Sequence, residues 1–233
     1  MQREFSEDQP ELMDLPNQDE SALQSDLENL AQINGRFGAR RTLGKIFRNM
    51  VQGTSRFVLI DLACGYGDHG RTFLQHAQSL EHDATVIGVD FQFQTLRIAR
   101  AATKPEQKMF YVQADARQLP FRTKESDFVF CSLALHHFAE KDALMVLGEM
   151  ARIGHRGLAC ADLVRSRLAV LGIWLMTTFV IRDPMVRHDA RLSVRRAFTT
   201  QELRTMAQSA GWPSFRQITY PFFQQAILAG HRP

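Results

Sequence analysis

Three glycines, Gly65, Gly67 and Gly70, follow an apolar run from Phe57 to Ile60 that leads into an acid, Asp61. The run reads as a buried parallel strand, and the Gly-x-Gly-x-x-Gly spacing behind it lets backbone approach a ligand where a Cβ would collide. The next apolar run, Thr85 to Val89, ends in Asp90, at about the 20-residue separation where an acid can accept hydrogen bonds from ribose hydroxyls. A third run, Met109 to Val112, leads into Gln113, Ala114, Asp115 and Ala116. A fourth, Asp127 to Leu133, leads into His136 and His137. A nucleotide-like cofactor is therefore expected over the glycine loop, and an imidazole with a pKa of ~6.5 close by can take a proton from a hydroxyl. Each group also has a structural alternative: a helix cap for Asp90, a turn for Asp115, helix–sheet packing for Gly70, a structural hydrogen bond for either histidine.

Strands ending at a common rim must position these groups. After the glycine loop the spacing predicts crossover helices over residues 71–80 and 92–103, then an amphipathic helix over 142–153 started by Asp142. A strand over 157–162 follows, then a helix over 200–210 signalled by Thr199 or Thr200, Glu202 and Gly211, and two strands, 216–220 and 223–229. Alternating strands and helices predict a parallel sheet with right-handed crossovers. Two helices precede it: Leu23, Leu27, Leu30 and Ile33 form one apolar stripe, and a basic helix covers roughly 39–51. Residues 1–18 are polar and read as a flexible acidic tail, 19–54 as a helical cap, and 55–233 as the main domain. Residues 163–198 exceed what a bare fold needs. Within them, Leu168 to Ile181 is apolar nearly all round yet shorter than the ~20 residues of a membrane span. It is expected to be a buried helix, a lid over a greasy pocket, or a dimer or membrane-surface contact.

At 233 residues with 45% hydrophobic side chains, the chain suits one α/β domain with an appendage. The net charge of +3 is unevenly spread: nine acids fall in residues 1–35, and six bases without an acid in 36–56. That total requires neither nucleic acid nor membrane. Cys64, Cys131 and Cys160 lack a Cys-x-x-Cys pair and are expected to be buried in a reducing compartment, and no secretory signal is evident, so the cytoplasm is the expected location. No metal site is evident in the pattern of histidines and cysteines.

The stretches IDLACGYG, VIGVDF, QADARQLPF and SDFVFCSLALHHF, in this order, resemble the successive motifs of class I S-adenosylmethionine-dependent methyltransferases from about residue 55 onward. The resemblance implies a Rossmann-like, seven-stranded, mostly parallel sheet with helices on both faces and an antiparallel last strand. It also implies roles: Gly65 and Gly67 admit the methionine and ribose portion of S-adenosylmethionine, Asp61 binds its ammonium group, and Asp90 binds the ribose. Phe91 flanks the adenine, Asp115 with Ala116 reads its edge, Ser132 and Leu133 line the methionine part, and Arg40 or Arg41 reaches its carboxylate.

The implied activity is methylation of a small phenolic, quinone-precursor or polyketide acceptor, oxygen being favoured over carbon or nitrogen, with S-adenosylhomocysteine as product. His136 or His137 would act as base. Trp174, Arg187 and His188 of the lid insertion would meet the acceptor, unless the apolar residues there only pack on the core. A motif of the Asn- or Asp-Pro-Pro-Tyr type is absent after the fourth strand, so nucleic acid is not an expected substrate. The rivals are a nicotinamide oxidoreductase, which has no need of Asp61 or Asp115, and a silent binding protein of the same fold. A monomer or a homodimer is expected, with peripheral membrane contact open.

Overall fold

A computed structural model of the chain describes residues 1–15, 18–36, 39–181, 183–212 and 214–230, without the side chains of 34, 36 and 39–41. Two helices, α1 (Glu20–Arg36) and α2 (Ala39–Met50), lead into β1 (Arg56–Leu62), α3 (Asp68–Ser79), β2 (Asp83–Asp90), α4 (Phe93–Ala101), β3 (Met109–Gln113) and β4 (Ser126–Ser132). After α5 (Glu140–Ile153) and β5 (Gly154–Leu163) come α6 (Arg167–Phe179) and α7 (Pro184–Arg196), then α8 (Thr200–Ser209), β6 (Phe215–Tyr220) and β7 (Gln224–Gly230). The seven strands lie in the order β3-β2-β1-β4-β5-β7-β6, and β7 runs antiparallel to both neighbours. This is the expected Rossmann-like sheet.

Strand alternation splits the core in two. Phe57 and Leu59 of β1 with Phe128 and Phe130 of β4 pack under α2 and α3, while Ile60, Leu62, Val129 and Cys131 face α5 and α8. On the first face Phe73 of α3 stacks on Phe47 of α2 at 5.4 Å and meets Phe130 edge-on at 4.7 Å. The three cysteines are buried free thiols.

The start of α8 is as read: the Thr199 hydroxyl accepts from the Glu202 amide at 3.2 Å, and Glu202 accepts from the Thr199 amide at 2.8 Å. The start of α5 differs. Ala139 precedes it, and Asp142, expected as the start signal, lies in the first turn and pairs with Arg117. A second helix, α7, lies in the insertion expected as a helical lid, where only the stretch from Leu168 to Ile181 had been given bounds. Asp183 caps it by accepting from the Val186 amide at 3.0 Å, and Pro184 opens it with a preset φ. No described helix is long and apolar enough to cross a membrane.

Residues 1–15, expected as a loose tail, cross the molecule instead. The amides of Leu12 and Met13 donate to the two oxygens of Asp189 on α7, at 2.9 and 3.1 Å. Arg196 of α7 donates to the Ser6 and Gln9 carbonyls. The Arg3 guanidinium lies 3.9 Å from the centroid of the Phe198 ring and donates to the Phe138 carbonyl at 2.7 Å. A polar segment is held because buried charges elsewhere in the chain need its backbone.

Replacing Phe73, which is 1% exposed, by alanine opens a cavity between α3 and the sheet. The Phe73→Ala protein is expected to lose about 3–5 kcal/mol of unfolding free energy, read from its urea midpoint at unchanged m-value. A loss below about 1 kcal/mol would contradict this packing.

Candidate functional site

The carboxyl ends of β1, β2, β3 and β4 open onto a cavity of about 650 Å³. Its floor is the loop after β1. Gly65 holds φ +49°, and a Cβ built there would meet nothing within 4 Å, so the loop presents bare backbone to open space. Asp90 fixes it: one carboxylate oxygen accepts from the Gly65 amide at 2.9 Å and the other from the Gln92 amide at 3.0 Å. Burial raises the Asp90 pKa above the ordinary carboxylate range, against the lowering effect of those amides. Phe91, next in line, is 63% exposed at the cavity edge.

Among the described residues, Gly67 and Asp61 do not line the cavity. Gly67, at φ +71°, turns the chain into α3, and a Cβ there would stand 2.6 Å from the Tyr111 hydroxyl. Its need for glycine is packing against β3, not ligand approach. Asp61 lies beneath the loop, on the sheet face that carries α3, and is 1% exposed. Its Oδ2 has no hydrogen-bond partner, and burial together with Asp68 and Asp90 pushes its pKa well above the usual value. Gly70 gives room there: a Cβ would meet Met109 at 2.6 Å and Val86 at 3.1 Å.

Asp115 and Ala116 line the cavity beyond β3. Asp115 is held from one side by Arg117, with nitrogen–oxygen distances of 2.7 to 3.0 Å, which keeps its pKa below the usual range. Arg117 also grips Asp142 of α5 at 2.8 Å. Ser132 and Leu133 line the wall after β4, Leu133 at φ +52° with its amide donating to the Ala161 carbonyl at 2.8 Å. The Arg40 and Arg41 side chains lie outside the described residues.

Across the cavity stand the histidines. His136 is 3% exposed; its amide donates to one oxygen of Asp162 at 2.9 Å, and its Nδ1 lies 2.6 Å from the other. His137 Nδ1 lies 2.7 Å from Asp14, and the two rings sit 4.4 Å apart. Glu11, 2% exposed, brings its carboxylate between them, 3.6 Å from His136 Nε2 and 3.8 Å from His137 Nε2, and takes a bond from the Ser193 hydroxyl at 2.7 Å. The sequence reading found both histidines and missed all three carboxylates. Asp162 carried the same signal as Asp61 and Asp90, an acid near the end of a strand. Glu11 and Asp14 carried none, because they come from the segment that looked like a tail.

The insertion does line the cavity, through Ile173, Met176, Met185 and Val186. The expected acceptor residues face elsewhere. Trp174 lies in a separate groove of about 270 Å³ with Arg167, Leu171 and Arg191. Arg187 and His188 are not among the described residues of the cavity wall, and the His188 side chain is 53% exposed beside Asp189. A helix hydrophobic nearly all round gives no phase from which to choose its inner side.

Residues 59–157 match a protein family described as "Methyltransferase domain". The demethylmenaquinone methyltransferase of Staphylococcus saprophyticus is 31% identical over 94 residues, 40% of this chain and 38% of that protein. That of Lactococcus lactis is 36% identical over 97 residues, 41% and 36% of the two chains. This chain thus spans less than two fifths of the length of the curated relatives it matches. Among solved structures, a SAM dependent methyltransferase from Aquifex aeolicus superposes with a TM-score of 0.65 at 15% identity, covering 88% of this chain and 97% of that one. Human N-acetylserotonin methyltransferase in complex with SAM gives 0.65 at 17% identity, with coverages of 91% and 56%. At these identities the likeness is one of fold.

The charge around His137 has a pH signature. Burial lowers its pKa, but Glu11, Asp14 and Asp162 outweigh burial and bring it up to about 9 from 6.5. A raised histidine pKa stabilises the folded state fully below 6.5 and loses that contribution as pH rises through about 9. In metal-free buffer the unfolding free energy is expected to fall across that window, and the His137→Gln protein to fall less. Equal slopes for the two proteins would show that His137 does not titrate there.

Proposed function

We propose that the chain, whose residues 59–157 match a family described as a methyltransferase domain, uses S-adenosylmethionine to methylate a small lipophilic phenol, quinone precursor or polyketide, at oxygen in preference to carbon or nitrogen. The observation that carries this reading is one cavity that joins a bare glycine loop and strand-end acids to a pair of carboxylate-held imidazoles and an apolar wall.

The site fits the cofactor. Gly65 offers open backbone, and Asp61 Oδ2 is a buried acceptor without a partner next to the loop. Asp90 uses one lone pair of each oxygen on an amide and keeps the other for a ribose hydroxyl. Phe91 offers an apolar ring to the adenine, Asp115 and Ala116 its edge contacts, and Ser132 and Leu133 the wall beside the methionine part. S-adenosylmethionine supplies a methyl group already activated by its sulfonium charge.

What remains for the protein is orientation and a proton. Holding the acceptor at near-attack distance supplies several kcal/mol of the barrier. The histidine pair on the cavity wall offers an acceptor hydroxyl a base, and Asp162 holds the His136 ring and would steady the positive charge it gains on taking a proton. Leu23, Leu27, Ile173, Met176 and Phe223 give the acceptor an apolar bed. The relatives named for demethylmenaquinone support a quinone precursor within this class.

Calorimetry with S-adenosylmethionine and with NAD tests the cofactor; binding of NAD alone would leave the oxidoreductase rival standing. Transfer of labelled methyl to phenolic and quinol lipids tests turnover, and tight cofactor binding without transfer would favour a silent binding protein. Asp90→Ala is expected to weaken S-adenosylmethionine binding at least about tenfold, the order of one lost charge-assisted hydrogen bond, with an unchanged circular dichroism spectrum. Unaltered affinity would remove Asp90 from the ribose.

A further inference from the structure

Glu11, His136 and His137 bring three potential ligand atoms within 4.8 Å of one another on the cavity wall. We propose that these three residues form a binding site for a first-row divalent cation, zinc in the first instance, with one coordination position open to the cavity.

The argument begins with the two Nδ1 atoms. His136 Nδ1 lies 2.6 Å from Asp162, and His137 Nδ1 lies 2.7 Å from Asp14. A carboxylate accepts only, so each Nδ1 carries the proton and donates it. Each Nε2 then faces the Glu11 carboxylate, at 3.6 and 3.8 Å, and an ion binding there takes the place of any proton on these atoms. These separations exceed the 2.7–3.2 Å of an ordinary N–H···O bond. They are close to those of two ligands sharing one ion: bonds of about 2.0–2.1 Å at tetrahedral angles set neighbouring ligands about 3.3 Å apart. The ligand set, two imidazoles and one carboxylate, suits zinc and its neighbours.

The surroundings complete the pattern. Metal-bound histidines commonly pass their second ring proton to a carboxylate, which fixes the ring and raises its basicity, and here both rings do so. The carboxylate ligand is itself oriented, by the Ser193 hydroxyl at 2.7 Å from Glu11. Glu11, Asp14 and Asp162 bring three carboxylates to two rings. The Arg3 guanidinium donates from Nε and one terminal nitrogen to the Arg196, His136 and Phe138 carbonyls. Ion binding itself needs nothing from the methyltransferase reading. Only its use rests on that reading: with the ion bound the two imidazoles would be ligands and not bases, and an acceptor hydroxyl in the open position would release its proton to water and keep the O–H electron pair. That pair forms the new O–CH3 bond as the S–CH3 pair returns to sulfur.

The full chain, prepared without a histidine tag and dialysed against chelator, is titrated with Zn²⁺ by calorimetry and with Co²⁺ by visible absorption. The expected result is one ion per chain, with the intense d–d bands of four-coordinate Co²⁺. Glu11→Gln and His137→Gln are each expected to weaken binding at least about tenfold, and Asp14→Asn by about 10–100-fold. His155→Asn, which removes an exposed imidazole near the start of β5, leaves it unchanged. A thermal melt of each variant reports folding, and the wild-type titration and Co²⁺ spectrum need no variant at all. Absence of stoichiometric binding, affinity unchanged in the ligand variants, or loss in His155→Asn would overturn the proposal. S-adenosylmethionine binding is measured on the same samples. Cofactor binding without an ion refutes the metal site alone, and an ion without cofactor refutes the methyltransferase reading alone.

Discussion

Asp90 stands where β2 leaves the sheet, and three neighbouring segments converge on its end of the strand. Its carboxylate accepts from Gly65 and Gln92, its carbonyl accepts from the Ala114 amide at 3.0 Å, and the preceding Val89 carbonyl accepts from Cys64 at 3.0 Å. The loop after β1, the entry to α4 and the exit from β3 are thus laced to one point. At 9% exposure, water does not compete for these bonds, and any left unmade would cost the desolvation of its partner. An open backbone cradle is otherwise an unfavourable thing to hold, since residues of positive φ have lost the freedom that made them useful. The lacing keeps the cradle in shape without filling it.

A second rank of carboxylates does the corresponding work on the opposite wall. Asp162 from β5 and Asp14 from the crossing segment each hold one imidazole, and Glu11 lies between the rings. The two walls differ in origin. One is made by strand ends, so its geometry follows from the parallel pairing of β1 with β2 and β4. The other is assembled from pieces more than 120 residues apart, and its geometry depends on how residues 1–15 cross α7.

That difference decides what could be read beforehand. Short apolar runs ending in acids gave away β1 to β3 and the cofactor wall, because strand burial and strand-end chemistry are both local patterns. Gly67 was legible as a glycine but not in its reason, since Tyr111 on a neighbouring strand supplies the constraint. Helix α7 carries an ordinary start signal in Asp183 and Pro184, from which its bounds within the insertion could have been read. Glu11 and Asp14 sit in a stretch without periodicity, where an acid that will be buried looks like one that will be solvated. Trp174 lies on an apolar helix whose inner side the sequence leaves open, and packing against Phe223, 2.3 Å from a Cβ at Gly172, sets which side of α6 turns inward.

The crossing of residues 1–15 also separates the time of synthesis from the time of assembly. Glu11 and Asp14 are translated before His136, Asp189 and Arg196, the groups that seat them, so this strap can dock only after those groups have been made. Its anchors are a handful of polar bonds over an otherwise complete sheet, the kind of unit that opens at a fraction of the global free energy. Opening it would leave the strand-end wall in place and take Glu11 and Asp14 from the histidines.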